Sequence, residues 1–165
     1  CAARPPVTAQ AMLRISRVPD ELEDYAWIRD RLAEYDKAVF GAVALSGATA
    51  IVAVVDDVPI AGITMHDRLG WTHIERLWVE PRHRRSGQAR RLIAECESRA
   101  CQQALIGVRV NTTSGHTALN LYLSLGYAID ARWPIITGLG RHIEEISLSK
   151  RFPGSIAYQR RLPLL

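Results

Sequence analysis

Apolar residues change their spacing several times along the chain, and each change marks an element. From Pro19-Asp20-Glu21 onward, Leu22, Tyr25, Ile28, Leu32, Tyr35 and Val39 recur every three or four positions. That is the period of a helix with one buried face, and proline and acids stand where a helix N-terminus favours them. Ahead of it, Met12 to Val18 reads as a short strand behind a loose tail with Arg4-Pro5-Pro6. Ala48 to Val55 is rich in β-branched residues and stops at Asp56-Asp57, so it reads as a buried strand and turn. Ile60–Asp67, a turn at Leu69-Gly70, and Trp71–Val79 continue an antiparallel meander that Pro81 ends.

Helical spacing then returns from Gly87 to about Ala104. Ala89, Leu92, Ile93, Cys96, Ala100 and Ala104 form its stripe, and Glu95 and Arg99 are an i,i+4 pair on its wet side. Leu105 to Val110 is the next strand. A shorter helix over about Thr117–Leu125 is closed by Gly126, where a left-handed cap is needed. Strands near 127–132 and 142–148 complete the pattern. The order predicts an α/β fold in one domain with a mixed sheet: an antiparallel N-terminal meander and flanking helices. The strands at 71–79 and 105–110 are parallel neighbours joined by a right-handed helical crossover. The expected domain is 11–152, with tails at 1–10 and 153–165.

Composition changes this picture little. A chain of 165 residues suits one domain, and 48% hydrophobic with 23% charged residues is ordinary for a globular protein. Ala38 to Val55 is 18 residues without a charge, the length of a membrane span. Gly41, Ser46, Gly47 and Thr49 break it like a loop, and aromatic or basic anchors do not stand at both ends. No signal peptide stands out, so the expected location is the cytoplasm without membrane attachment. Three cysteines exclude a full disulfide framework. Cys96 and Cys101, five apart on one helix, point roughly 140° apart and read as reduced thiols.

Charge is more informative. The net charge is +4, and the stretch 82–91 holds Arg82, Arg84, Arg85, Arg90 and Arg91 with no acid. Without those five the rest of the chain stands at −1. Such local basicity, with no interleaved aromatics, argues against a nucleic-acid surface. It sits between the strand that ends near Val79 and the helix that opens at Gly87. Unpaired amides at a helix N-terminus attract anions, Gly87 lets the backbone approach a phosphate, and arginines add charge-assisted hydrogen bonds. Neither a G-x-G-x-x-G nor a G-x-x-x-x-G-K-[ST] motif is present. The competing reading of the arginine run is a solvated helix start.

Val79-x-Pro81-x-x-Arg84-x-x-Gly87-x-Ala89 resembles the acetyl-CoA signature of the GNAT N-acetyltransferase superfamily, R/Q-x-x-G-x-G/A. Downstream, Ala118-Leu-Asn-Leu-Tyr122-Leu-Ser-Leu-Gly126-Tyr127 is similar to the family's second signature, A-x-x-L-Y-x-x-x-G-F/Y. The resemblance implies acetyl-CoA as co-substrate and a parallel pair splayed around it. It implies that the backbone of Leu77, Trp78 and Val79 pairs with the pantetheine arm. By the same token the amides of Arg84, Arg85, Ser86, Gly87, Gln88 and Ala89 cradle the pyrophosphate, and Tyr122 protonates the departing thiolate. Gly115 departs from the family, which often has asparagine there; Ser114 or Asn111 is the candidate replacement. Dimers are common in the family, so a homodimer is compatible with the resemblance.

The chemistry sets its own demands. An amine with a pKa of about 10.4 is neutral roughly once in 10³ molecules at pH 7, so a base or a water chain helps. Backbone N–H groups of the strand at 71–79 stabilise the developing oxyanion. Strand alternation puts His73, Glu75, Leu77 and Val79 on one face unless a bulge intervenes. Glu75 is the candidate base and His73 a wall of the acceptor site, with Trp71 and Asp67. Glu75 as a structural partner of an arginine, and Tyr122 as a core aromatic, are the alternatives. His73-x-Glu75 is similar to the H-x-E of zinc deaminases, but their P-C-x-x-C is missing, so no metal is expected. The expected function is transfer of acetyl to a primary amine, on a small molecule in preference to a peptide, by direct attack in a ternary complex, with a protein N-terminal or lysine acetyltransferase as one alternative. A CoA-binding regulatory module without catalysis is the other.

Overall fold

The computed structural model describes residues 48–154, together with helical positions 28, 30–32, 34, 35, 38 and 39, here α1. The strand expected at Met12–Val18 lies outside the described residues. The elements that follow are β1 (Thr49–Val55), β2 (Val58–Arg68), β3 (Trp71–Val79), α2 (Gln88–Gln102), β4 (Gly107–Thr113), α3 (Ala118–Ser124), β5 (Ala128–Ile136) and β6 (His142–Arg151). A single 3-10 turn, Pro81–His83, separates β3 from α2. They build one six-stranded sheet in the order β1-β2-β3-β4-β6-β5. β1, β2 and β3 are the antiparallel meander, and β3 and β4 are the parallel pair. β6 inserts between β4 and β5, antiparallel to both, so the last hairpin extends the sheet away from the meander.

Turn chemistry sets the register of the meander. Leu69 and Gly70 both take positive φ, 50° and 79°, the geometry of a two-residue hairpin turn that matches strand twist. It pairs Arg68 with Trp71, Asp67 with Thr72 and His66 with His73. Alternation then sends Ala61, Ile63, Met65 and Asp67 to one face and Thr64, His66 and Arg68 to the other. The first face carries the core. Ile63, Met65, Ile74, Val108, Val110, Ile146 and Leu148 meet Leu92, Ile93, Cys96 and Ala100 of α2.

Three expectations need correction. Ile28, Leu32, Tyr35 and Val39 are exposed; a helical period shows which residues share a face, not what covers it. β1 is half-buried and stands at the edge of the sheet among the described residues, with Ile51 and Ala53 packed on the core and Val52 and Val54 exposed. Arg99 turns inward and clamps Asp67 with two hydrogen bonds, 3.2 and 3.1 Å, rather than standing on the wet side with Glu95. Among the described residues, no helix is long and apolar enough to cross a membrane.

Candidate active site

Parallel pairing between β3 and β4 covers only four registers, from Trp71↔Gly107 to Ile74↔Val110. Both strands run on, β3 to Val79 and β4 to Thr113, without pairing each other. On its other side β3 stays bonded to β2 as far as Ala61↔Val79. The β4-facing main-chain edge of residues 75–79 therefore has no strand partner among the described residues. Leu77, Trp78 and Val79 lie on that edge, and Asn111 is the first β4 residue beyond the paired stretch. An extended amide chain fits such an edge as an added strand would.

The open edge leads into the basic loop. Arg85 has φ 58° and Gly87, the N-cap of α2, has φ 86°. No Cβ clash would arise at Gly87, so the glycine answers a left-handed backbone rather than a crowded one. Gly87 provides no side-chain cap, and the amides from Arg85 through Arg90 donate to no carbonyl or side chain among the described residues. Successive free N–H groups at a helix start, bent by left-handed residues, form a concave anion site. Arg84 is held beside it: Nε donates to the Val79 carbonyl at 3.1 Å, and the guanidinium lies 4.9 Å over the Trp78 ring. Trp78 in turn donates to Glu80 at 3.1 Å. Ser86 Oγ donates to the His83 carbonyl at 2.5 Å, and Arg90 reaches Ser124 of α3 at 2.8 Å. The residues present fit a pyrophosphate with an extended arm.

A bulge decides which side chains face the splay. The β2–β3 register shifts between Thr64↔Arg76 and Met65↔Ile74, leaving Glu75 as the extra residue. His73 and Glu75 consequently share the face opposite α2, while Leu77 and Val79 turn toward the core. The one-face grouping expected for all four is broken at the bulge. His66 and His73 stack with ring centroids 5.1 Å apart and planes 6° from parallel. His66 Nδ1 lies 3.1 Å from Glu75 Oε1, at ion-pair distance but off the line of a hydrogen bond. Arg76 is 3.9 Å from the other carboxylate oxygen. Burial lowers the His73 pKa to about 4, helped by His66, Arg109 and Arg68 and opposed by Asp67. His73 is neutral at neutral pH.

Trp71 is buried on this same side, with the Arg109 guanidinium 4.1 Å and that of Arg151 5.1 Å from its ring centroid. Asp67 is elsewhere. Its carboxylate faces α2, clamped by Arg99 and accepting a 2.7 Å hydrogen bond from Thr72 Oγ1. The structure therefore brings Trp71, His73 and Glu75 together and separates Asp67 from them.

Tyr122 points into the core, 2% exposed, edge-on to Tyr127 at 5.3 Å. Burial, with Cys96 nearby, pushes its pKa up to about 12. Its phenol makes no hydrogen bond among the described residues. Ser114 is engaged with β6: its Oγ accepts from the Glu144 amide at 3.0 Å. Asn111 is exposed.

Sequence reasoning missed His66 and Arg109. His66 was within reach, because counting back from a two-residue turn at Leu69-Gly70 sets it opposite His73. Arg109 was not, since the register of a parallel pair depends on a long crossover.

Comparison with known proteins agrees with this geometry. The family model of the acetyltransferase (GNAT) domain matches residues 26–132, more than half of the chain. No curated protein matches. A structure described as an acetyltransferase from Agrobacterium tumefaciens is 27% identical, covers 86% of this chain and 100% of its own, and superposes with a TM-score of 0.71. A structure described as a streptothricin acetyltransferase from Bacillus anthracis, in complex with acetyl coenzyme A, is 21% identical. It covers 65% of this chain and 64% of its own, with a TM-score of 0.59. The ribosomal-protein-S18-alanine N-acetyltransferase of Escherichia coli is 16% identical over 79% of this chain and 90% of its own, with a TM-score of 0.58. Matching motif, topology and family model lead to one conclusion: the chain belongs to the GNAT acetyltransferase family.

Proposed function

We propose that the domain, residues 11–152, transfers the acetyl group of acetyl-CoA to a primary amine on a small molecule, by direct attack with both substrates bound. The observation that carries this reading is the unpaired edge of residues 75–79 running straight into the free amides of Arg85–Arg90. Acetyl-CoA supplies an activated acyl group as a thioester. Leu77, Trp78 and Val79 would hold its arm by main-chain hydrogen bonds, and Arg84, Arg85, Ser86, Gly87, Gln88 and Ala89 its phosphates, with Asn111 at the mouth. Main-chain N–H groups beyond the bulge donate to the acyl oxygen as it gains negative charge.

Glu75 attracts the incoming ammonium and takes its proton. His73 is the poorer acceptor, because burial above all, and then His66, Arg109 and Arg68, disfavour a charge there. Tyr122 gives a proton to the departing thiolate. Free Cys96 and Cys101 suit a reducing cytoplasm. A second reading, a CoA-binding module without turnover, is favoured by Tyr122 being packed in the core against Tyr127.

Calorimetric titration with CoA should give one site per chain. A panel of amines with a thiol-detecting reagent should then release CoA. Absence of CoA binding would sink both readings; binding with no thiol release from any amine would leave the module.

A further inference from the structure

The two cations held between α2 and the sheet each have an acid. Arg99 holds Asp67 in a bidentate pair, and Lys150 donates to Glu97 at 2.7 Å. Arg109 does not. Among the described residues no carboxylate pairs with it, and its Nε is buried without an acceptor. Leaving a half-buried guanidinium unmatched is costly, and the cost is recovered only when an anion arrives. Its position is specific as well. Arg109 sits opposite His73 in the β3–β4 register, one residue before pairing ends. Its guanidinium lies 4.1 Å over the ring centroid of buried Trp71, and Arg151 flanks the same ring. The acid across β6, Asp130, is occupied by Ser149 Oγ at 2.9 Å.

We propose that the acceptor is a compact amino acid with a free carboxylate, and that Arg109, supported by Trp71 and Arg151, binds that carboxylate while Glu75 receives the amine. The inference rests on the acetyltransferase reading given above. Two residues along β3 separate His73, the register partner of Arg109, from Glu75, about 7 Å between main-chain positions at the rise of a strand. That spacing suits a small zwitterion and not a polycation or a protein N-terminus. On β2 and β3 the other titratable and charged groups of this face are His66, His73, Arg68 and Arg76; β6 and β5 add Glu145 and Asp130, and Glu75 is the acid on β3 that the amine meets. A planar fork bound in two places is the geometry a carboxylate prefers.

The test is binding, measured with and without saturating CoA. N-Acetylalanine and N-ethylacetamide differ only in the carboxylate. N-Acetylalanine should bind at least tenfold more tightly, and Arg109→Gln should bring the ratio near one while CoA affinity is unchanged. Arg109→Lys keeps the charge without the fork and should give an intermediate ratio, which controls for a misfolded glutamine variant. Equal binding of the two probes, binding of neither, or a preference that survives Arg109→Gln overturns the proposal. Failure of CoA to bind strikes the acetyltransferase reading instead, because the carboxylate preference is still read without CoA.

Discussion

Two side chains carry opposite lessons about proton affinity. Tyr122 has its pKa raised to about 12, so it keeps its proton at every working pH. Completed transfer to a thiolate of pKa about 8.5 would be uphill by roughly 5 kcal/mol, so the proton has to move as the C–S bond breaks. Tyr122→Phe should slow CoA release about 10²-fold in single turnover and leave CoA affinity unchanged; an unchanged rate would make Tyr122 a core aromatic only. His73 works the other way. Its folded pKa of about 4 lies below the usual 6.5, so the unfolded chain binds the proton first as pH falls. The neutral imidazole's contribution to stability is therefore present above pH 6.5 and is lost on descent to 4. Chemical denaturation from pH 7 to 4 should show a shallower decline in His73→Gln than in the parent. The difference stays below the one-proton slope of about 1.4 kcal/mol per pH unit, because the ring is only half-buried.

At the scale of elements, the two helices near the site end in the same motif by different means. α3 closes with Tyr127 N–H on the Tyr122 carbonyl and Gly126 N–H on that of Leu123, both 3.1 Å, with Gly126 at φ 86° and the two tyrosines in contact. α2 closes with Leu105 on Ala100 and Ala104 on Cys101, but alanine takes the left-handed position at φ 55°. Ala104→Gly should relieve about 1 kcal/mol of backbone strain, less the entropy glycine adds to the unfolded chain. The net is a gain of about 0.5 kcal/mol in urea titration. Gly107→Ala should do the reverse. A Cβ there meets the Lys150 carbonyl and lies 2.9 Å from the Arg151 Cα, so the β4–β6 ladder has to shift at a cost of about 3 kcal/mol in the same titration. These elements also show how far the chain was legible. Turn pairs, apolar periods and the strand–loop–helix junction gave eight described elements within a few residues. Strand β4 began later than expected because Leu105 is consumed by the cap of α2. The bulge at Glu75 has no local signature, since it is settled by the pairing of β2 and β3 as a whole, and it alone decides which residues face the splay.

Across the whole molecule, a net charge of +4 resolves into five arginines with unequal tasks. Arg84 is tied to Val79 and Trp78, and Arg90 to Ser124, so both brace the loop and the two helices. Arg82, Arg85 and Arg91 are exposed and have no acid among the described residues. Anions are drawn to this side by charges that salt screens, over a Debye length of about 10 Å at 0.1 M. The free amides, in contrast, are fixed by the backbone and lose little to salt. CoA affinity should therefore fall as salt rises and level off rather than vanish. Neutralising Arg82, Arg85 and Arg91 to glutamine together should weaken CoA about tenfold at low salt and remove most of the salt dependence. Dephospho-CoA, which lacks one phosphate, should start nearer that variant's behaviour. The three exposed guanidiniums then act as a funnel for the nucleotide end, while the backbone from Arg85 to Arg90 sets what is held. If the triple variant binds CoA as the parent does at every ionic strength, those arginines serve the helix start alone.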